Sequence, residues 1–416
     1  MKTLIIHGGR CVRGEMRAQG AKNSALPLLA ASLCVQGKCL FKNMPALSDI
    51  DTSLEILRHA GVKVQRDSSQ KIIATDAAAP RRYIIPESLM RKIRSSIFLL
   101  APLLARFGRA EICAPGGCDI GARPIDLHLY AMEKLGAVYR QEGDFLRFHV
   151  PRGLVGADIA LRFPSVGATE NVLMAAACAR GTTRLSGAAR EPEIVDLACF
   201  LNRCGARIRG AGESEIIVEG VPRLWGCEYS VMPDRIIAAS YLAAAANTGG
   251  EMLVRDIVHS HLAPVLPVFS AMGCRVAPVG DSGIHLQAPR RLSSFGSIVT
   301  APFPGFPTDC QSAFLALSCT ARGTAHIRED IFESRFKQAG EFEKMGAYIR
   351  VRGKDAYIHG VTQLRGATVQ AMDLRGGAAL VIAALAAAGT TRIEQAHLIE
   401  RGWEIESFLG SDGIVD

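Results

Sequence analysis

Apolar and polar positions along this chain follow two rhythms that take turns. Stretches such as "LVIAALAAAG" and "YLAAAANTGG" are apolar on every side, so the helices they predict must be buried all round. Each is followed by alternating residues, as in "TTRLSG" or "AHIRE", which predict a strand with one buried face. A loop, a second helix, a glycine step and another strand come next, and the pattern recurs six times. The apolar helices run into Gly37, Gly108, Gly181, Gly250, Gly323 and Gly389, a period of roughly 70 residues. The partner step, about 24 residues later, reads "HAGVKV", "KLGAVY", "RCGARI", "AMGCRV", "KMGAYI" and, less cleanly, "FLGSDGIV". Glycine after a helix takes the left-handed capping conformation that other residues reach only with strain, so each is expected to be a cap. Six copies divide into two domains of three, with helices inside and sheets packed outside them.

A chain of 416 residues can hold two domains, each with its own core. Apolar residues make up 49% and charged residues 21%, the balance of a soluble globular protein. The net charge of +8 is carried by scattered arginines, and aromatic residues are only 6%. A nucleic-acid binder would show a basic stripe with stacking aromatics, and neither is present. The surplus suits an anionic small substrate instead. The longest run of apolar residues and glycine, "GGAALVIAALAAAG", has 14 residues, too few to span a bilayer. "MKTLIIHGGR" reads as a short strand ending in a glycine turn rather than as a signal peptide. Twelve cysteines without a CxxC pair, and ten histidines without zinc-ligand spacing, point to a reduced, cytosolic chain with no metal or other cofactor. Cys34, Cys178 and Cys319 fall in apolar helical runs, where a free thiol acts as a small hydrophobe. The oligomeric state is not legible; a monomer is compatible with the pattern.

Four stretches carry chemistry. In "CAPGGCDIGARPIDLH" Cys118 sits among Gly116, Gly117 and Gly121, with Arg123 five residues on. A thiol becomes an acid, base or nucleophile when nearby cations tune it, and the glycines let backbone approach a ligand closely. In "RAQGAKNSALPLLAA" Lys22 and Asn23 are expected near a helix N-terminus, where backbone donors and the dipole favour an anion. "FPGFPTDCQSAF" presents Asp309 where a Pro-rich loop turns into a helix, and "VMPDRIIAAS" repeats the arrangement at Asp234, which suggests a shared structural role. Arg335, Arg375 and Arg401 are expected at comparable loop positions. With Lys22, Arg94 and Arg123 they make six cations with few local acidic partners beyond Glu333 and Asp373, as a phosphate–carboxylate ligand would require.

"GAKNSALPLLAA", "PGGCDIGARPIDLH", "PSVGATEN", "AAREPEIVDL", "PTDCQSAF", "FESRF", "DLRGGAALV" and "IERGWE" together resemble the UDP-N-acetylglucosamine 1-carboxyvinyltransferase family, the enolpyruvyl transferases of peptidoglycan synthesis. The likeness runs through essentially the whole chain in order. It implies a two-domain inside-out α/β barrel of six βαβαββ repeats, three per domain. Residues 22–230 would form one domain and residues 1–21 with 231–416 the other, with the active site in the cleft between them. The implied reaction joins phosphoenolpyruvate to the 3-hydroxyl of UDP-N-acetylglucosamine and releases phosphate.

The resemblance also implies roles. Cys118 would protonate C3 of phosphoenolpyruvate, or attack C2 to give a covalent adduct, and Asp309 would be the base. Lys22, Arg123 and Arg401 would grip phosphoenolpyruvate, with Arg335 and Arg375 near the same anionic centre. Asn23, Arg94, Arg123, Pro124, Ile125, Asp126, Leu127, Ser165, Val166, Gly167, Asp309 and Ile331 would hold the nucleotide sugar. One departure is Phe163, where some members carry lysine two residues before the serine of "SVGAT"; a ring cannot supply that cation to a diphosphate. Three other readings compete: the sister transferase acting on shikimate 3-phosphate, a non-catalytic UDP-sugar-binding regulator, and a thiol redox sensor using Cys113 and Cys118.

Overall fold

The computed structural model describes residues 2–113, 121 and 124–410. The chain divides into two compact units: residues 20–113 and 124–232 form one, and residues 2–19, Gly121 and 233–410 the other. Each is a mixed α/β unit built round its own apolar core.

In the second unit the core is a trio of helices, Arg235–Asn247, Thr308–Ser318 and Leu374–Ala386, packed against one another. They are buried along nearly their whole length, as their apolar composition requires. In the first unit Val166–Ala177 packs on Leu100–Phe107, which in turn meets the turn Ser32–Cys34 at the end of helix Lys22–Ala31. Cys34, Cys178 and Cys319 lie at the ends of these helical segments rather than inside them.

The strands lie outside the helices with one face buried and the other in solvent, as the alternation in Thr182–Ser186 and Thr324–Arg328 shows. Four sheets share one order. A parallel pair is followed by the two strands of an antiparallel hairpin, as in Ser297–Val299, Thr324–Arg328, Asp355–His359 and Tyr348–Arg352. A fifth, Arg109–Cys113 with Phe145–His149 and Val138–Glu142, keeps only a single parallel bridge, Ile84 to Glu111, where its first strand would be. In the sixth, Thr390–Glu394 pairs in parallel with Thr368–Gln370, and its antiparallel neighbour is the N-terminal strand Thr3–His7. The start of the chain thus supplies a strand to the last repeat. Residues 411–416, the end of the less clean "FLGSDGIV" step, lie outside the described residues.

The six periodic glycines do one job in common, and it is not the expected one. Their carbonyl oxygens accept hydrogen bonds from the N–H groups of Ala77, Val150, Gly220, Ala288, Gly360 and Gly8 in turn, each at the far end of a neighbouring strand. Only Gly108 directly caps a helix in the left-handed region. Gly181, Gly323 and Gly389 take positive φ beyond helix ends at Ala177, Ser318 and Ala386, turning the chain into the next strand. At Gly250 the expectation fails: Gly249 takes the positive φ, 68°, and Gly250 does not. Gly250 is needed for space, because a Cβ there would lie 1.9 Å from the Val12 carbonyl oxygen. The true left-handed ends of helices are in the second series, at Gly61, Gly136, Gly205, Gly273 and Gly346. Gly410 departs from it, with φ −92°.

The close approaches make a test. Alanine at Gly360 would put a methyl 1.6 Å from the Ala321 carbonyl oxygen, so Gly360→Ala is expected to cost about 1–3 kcal/mol as a lowered urea midpoint. Gly353→Asn, at φ 58° with open space around the added Cβ, is expected to shift stability by less than about 1 kcal/mol in the same titration.

Candidate active site

Asp309 stands in the first turn of the helix Thr308–Ser318. Its Oδ1 accepts from Nη2 of Arg335 and its Oδ2, at 2.7 Å, from Nη2 of Arg375. The arginine side chains are 3% and 7% exposed, the Asp309 side chain 25%. Two buried guanidiniums therefore converge on one carboxylate that still reaches solvent. Burial pulls the Arg375 guanidinium down, but the carboxylates of Asp309 and Asp234 outweigh it and the net shift is upward. Arg335 also lies over the Phe332 ring at 5.5 Å.

The arginines do not share one kind of position. Arg335 lies in a turn, Arg375 is inside the first turn of helix Leu374–Ala386, and Arg401 ends the 3-10 segment Ala396–Arg401. Nor do Asp234 and Asp309 share a role. Asp234 caps its helix, accepting from the N–H groups of Ile236 and Ile237, whereas Asp309 sits past the cap and turns to the arginines. Asp373 is the second capping aspartate and accepts from the N–H groups of Arg375 and Gly376, which fixes Arg375 in place.

The loop with Ile331 is anchored by Glu329, a residue the motifs did not flag. This glutamate is 1% exposed and accepts from the N–H groups of Ile331 and Phe332 and the hydroxyls of Thr300 and Thr308. It ties that loop to the residue beside Asp309. Gln19 acts alike for Arg401: its amide donates to the Gly402 carbonyl and accepts from the Glu404 N–H. Gly121 is the described residue of the cysteine loop's glycine run; its φ is 135°, and a Cβ there would lie 2.3 Å from Oε2 of Glu333. Cys118 and Arg123 lie outside the described residues.

In the other unit Lys22 is the first residue of helix Lys22–Ala31 and Asn23 the second. Lys22 Nζ meets Asp49 Oδ2 at 2.6 Å, and both side chains are almost wholly buried. Lys22, Arg335 and Arg375 therefore do have acidic partners, distant in sequence. Next along the helix, Ser24 donates to Asp196, which also accepts from the Tyr229 hydroxyl at 2.7 Å and the Met232 N–H. Burial pushes the Asp196 carboxyl up, against those three donors.

Ser165 caps helix Val166–Ala177, accepting from the Ala168 N–H, so Val166 and Gly167 occupy its first turn. Ile125 precedes helix Asp126–Lys134; Pro124 is exposed, Leu127 half-buried, and Asp126 is paired with Arg162. Arg94 opens the 3-10 segment Arg94–Leu99. Phe163 is 44% exposed. Buried behind these residues, His128 hydrogen-bonds through Nδ1 to the Asn171 amide at 2.8 Å, and a Cβ on Gly167 would come within 3.1 Å of its ring.

The family described as EPSP synthase (3-phosphoshikimate 1-carboxyvinyltransferase) matches residues 6–407, which sets the class: an enolpyruvyl transferase. Among solved structures, the enolpyruvyl transferase NikO from Streptomyces tendae superposes with TM-score 0.88 at 27% identity, covering 98% of this chain and 97% of that one. EPSP synthase from Acinetobacter baumannii gives 0.75 at 16% identity over 100% and 98%, a likeness of fold alone. A UDP-N-acetylglucosamine 1-carboxyvinyltransferase of Caldanaerobacter subterraneus is 46% identical over 99% of this chain and 98% of its own, and one of Saccharophagus degradans 45% identical over 100% and 98%. The chain belongs to the UDP-N-acetylglucosamine 1-carboxyvinyltransferases, within the EPSP synthase family.

The buried histidine gives a measurable pH dependence. Burial first, and then the charge of Arg94, push His128 down to about 4, with Asp126 opposing. An unfolded histidine titrates near about 6.5, so between those values the unfolded chain binds more protons. The stability from the neutral ring is complete above about pH 6.5 and is lost as pH falls towards 4. In urea titrations the advantage of wild type over His128→Gln is expected to shrink by on the order of 3 kcal/mol between pH 7 and pH 4.

Proposed function

We propose that the chain transfers the enolpyruvyl group of phosphoenolpyruvate to the 3-hydroxyl of UDP-N-acetylglucosamine and releases phosphate, in the cytoplasm, as a step of peptidoglycan synthesis. The observation that carries this reading is identity of about 45% along the whole chain to relatives bearing that name. Asp309 between two buried arginines supports it, because the arrangement pairs a base with cations for an anionic substrate.

The chemistry assigns the parts. C2 of an enol phosphate is a poor electrophile until C3 gains a proton, so an acid and a base must act together. Cys118 is the proposed acid and Asp309 the base for the attacking hydroxyl. Both oxygens of Asp309 are occupied by arginines. A guanidinium that turns to an incoming phosphate or carboxylate leaves an oxygen able to accept the 3-hydroxyl proton. Substrate binding would thus switch the base on. Addition gives a tetrahedral intermediate, and elimination expels phosphate. Lys22, Arg123 and Arg401 are the proposed grip on phosphoenolpyruvate; Asn23, Arg94, Pro124 to Leu127, Ser165 to Gly167 and Ile331 that on the nucleotide sugar. Both units, residues 22–230 and residues 1–21 with 231–416, would have to contribute to one reaction centre.

Phosphate release from phosphoenolpyruvate is expected with UDP-N-acetylglucosamine as acceptor and not with shikimate 3-phosphate; release with the latter alone would overturn the assignment. Cys118→Ala is expected to lower turnover by roughly 10²–10⁴-fold and to remove alkylation by an epoxide such as fosfomycin. Normal turnover in that variant would pass the proton to another residue. Asp309→Ala should lose activity to a similar degree while calorimetry still detects the nucleotide sugar binding. A lost binding signal would make Asp309 chiefly a ligand-holding residue.

A further inference from the structure

Three thiols meet in the unit of residues 20–113 and 124–232, apart from every residue assigned above. Cys204 ends the helix Pro192–Arg203, and its sulfur lies 3.4 Å from that of Cys227. Cys39, on strand Lys38–Lys42, is also within hydrogen-bonding reach of Cys204. Cys227 immediately precedes Glu228–Ser230, the parallel neighbour of that strand.

Main-chain bonds hold both members of the close pair. The Trp225 N–H donates to the Cys204 carbonyl at 2.8 Å, and the Leu40 N–H to the Cys227 carbonyl at 2.9 Å. The sulfurs are in contact, and each needs to move by only roughly 0.7 Å to reach a disulfide length of about 2.05 Å. Access is unequal. Cys39 and Cys204 are buried and Cys227 is half-buried, so an oxidant reaches Cys227 first. The thiol hydrogen bond with Cys204, ahead of the charge of Arg203, holds the Cys227 thiol below its ordinary range, while its two thiol partners push Cys204 up. An attacking and a resolving thiol are thereby distinguished.

We propose that Cys227 and Cys204 form a peroxide-sensitive disulfide site. The Cys227 thiolate attacks one oxygen of hydrogen peroxide and breaks the O–O bond, giving a sulfenic acid and hydroxide. Cys204 sulfur then displaces hydroxide from that sulfenic acid, forming the S–S bond. The thiol protons convert both hydroxides to water. Two thiols and one peroxide become one disulfide and two waters, with two electrons passing from sulfur to oxygen. The bridge would pin the end of the helix carrying Asp196 to the strand that leads to Met232, and a dithiol would reverse it.

The test is peptide mapping of the full chain after brief hydrogen peroxide treatment, denaturation and alkylation of remaining thiols. The expected product is a linked Cys204–Cys227 peptide pair that disappears on reduction and persists in Cys118→Ala. Cys204→Ser should instead leave Cys227 as a sulfenic acid that dimedone captures. Finding Cys204 and Cys227 both alkylated, Cys227 linked to Cys39 instead, or Cys227 carried on to the sulfinic acid with Cys204 free would each overturn the proposal. The wild-type map alone decides, so poor folding of a variant would not shield it.

Discussion

A helix buried on every side leaves backbone polar groups unpaired only at its ends. That constraint organises this molecule. The central helices are built mostly from alanine, leucine, isoleucine and valine; polar side chains along them, such as Asn171 and Ser240, are hydrogen-bonded inside the protein, since an unpaired one would cost about 1–3 kcal/mol or more. Their first turns are different, because unpaired N–H groups there demand acceptors. Ser165, Asp234 and Asp373 meet that demand directly. Lys22, Asp309 and Arg375 occupy the same kind of first turn and turn their side chains to other work. Candidate chemistry collects at helix starts because the rest of each helix is closed to it.

Asp309, the proposed base, shows how such a start is put to use. Its neighbours leave its side chain partly open to solvent while both oxygens are held by nearly buried cations. Breaking a buried charge pair by removing one partner costs several kcal/mol, so the guanidiniums need either this carboxylate or another anion. In the proposed reaction the substrate supplies the other anion. Glu329, which joins Thr308 to the Ile331 loop through four hydrogen bonds, keeps the geometry from drifting while partners exchange.

Much of this was legible in the chain itself. The six-fold pattern of apolar helix, glycine and alternating strand predicts the α/β class, since burial all round and burial on one face leave different periodicities. The glycines were found by spacing, but their job was misread: capping is local, whereas accepting a hydrogen bond from a neighbouring strand depends on a residue far along the chain. Gly250 shows the difference most clearly, because its need is for room beside Val12. Charge pairing was illegible for the same reason. Lys22 and Asp49, or Asp309 with Arg335 and Arg375, are separated by long stretches of sequence and meet only after folding. Asp49 and Glu329 carried no motif, and Asp196 stood in "AAREPEIVDL" with no role assigned to it; each looks locally like an ordinary helix or turn acid.

The strand Thr3–His7 has a consequence for biosynthesis. Its partner, Thr390–Glu394, is made more than 380 residues later. The sheets of the unit of residues 20–113 and 124–232 close among themselves, so that unit can fold while translation continues. The opening strands must wait meanwhile with bare edges, which invite pairing with other chains. Charged and polar residues such as Arg13, Glu15 and Arg17 along Arg13–Arg17 make that interval less hazardous.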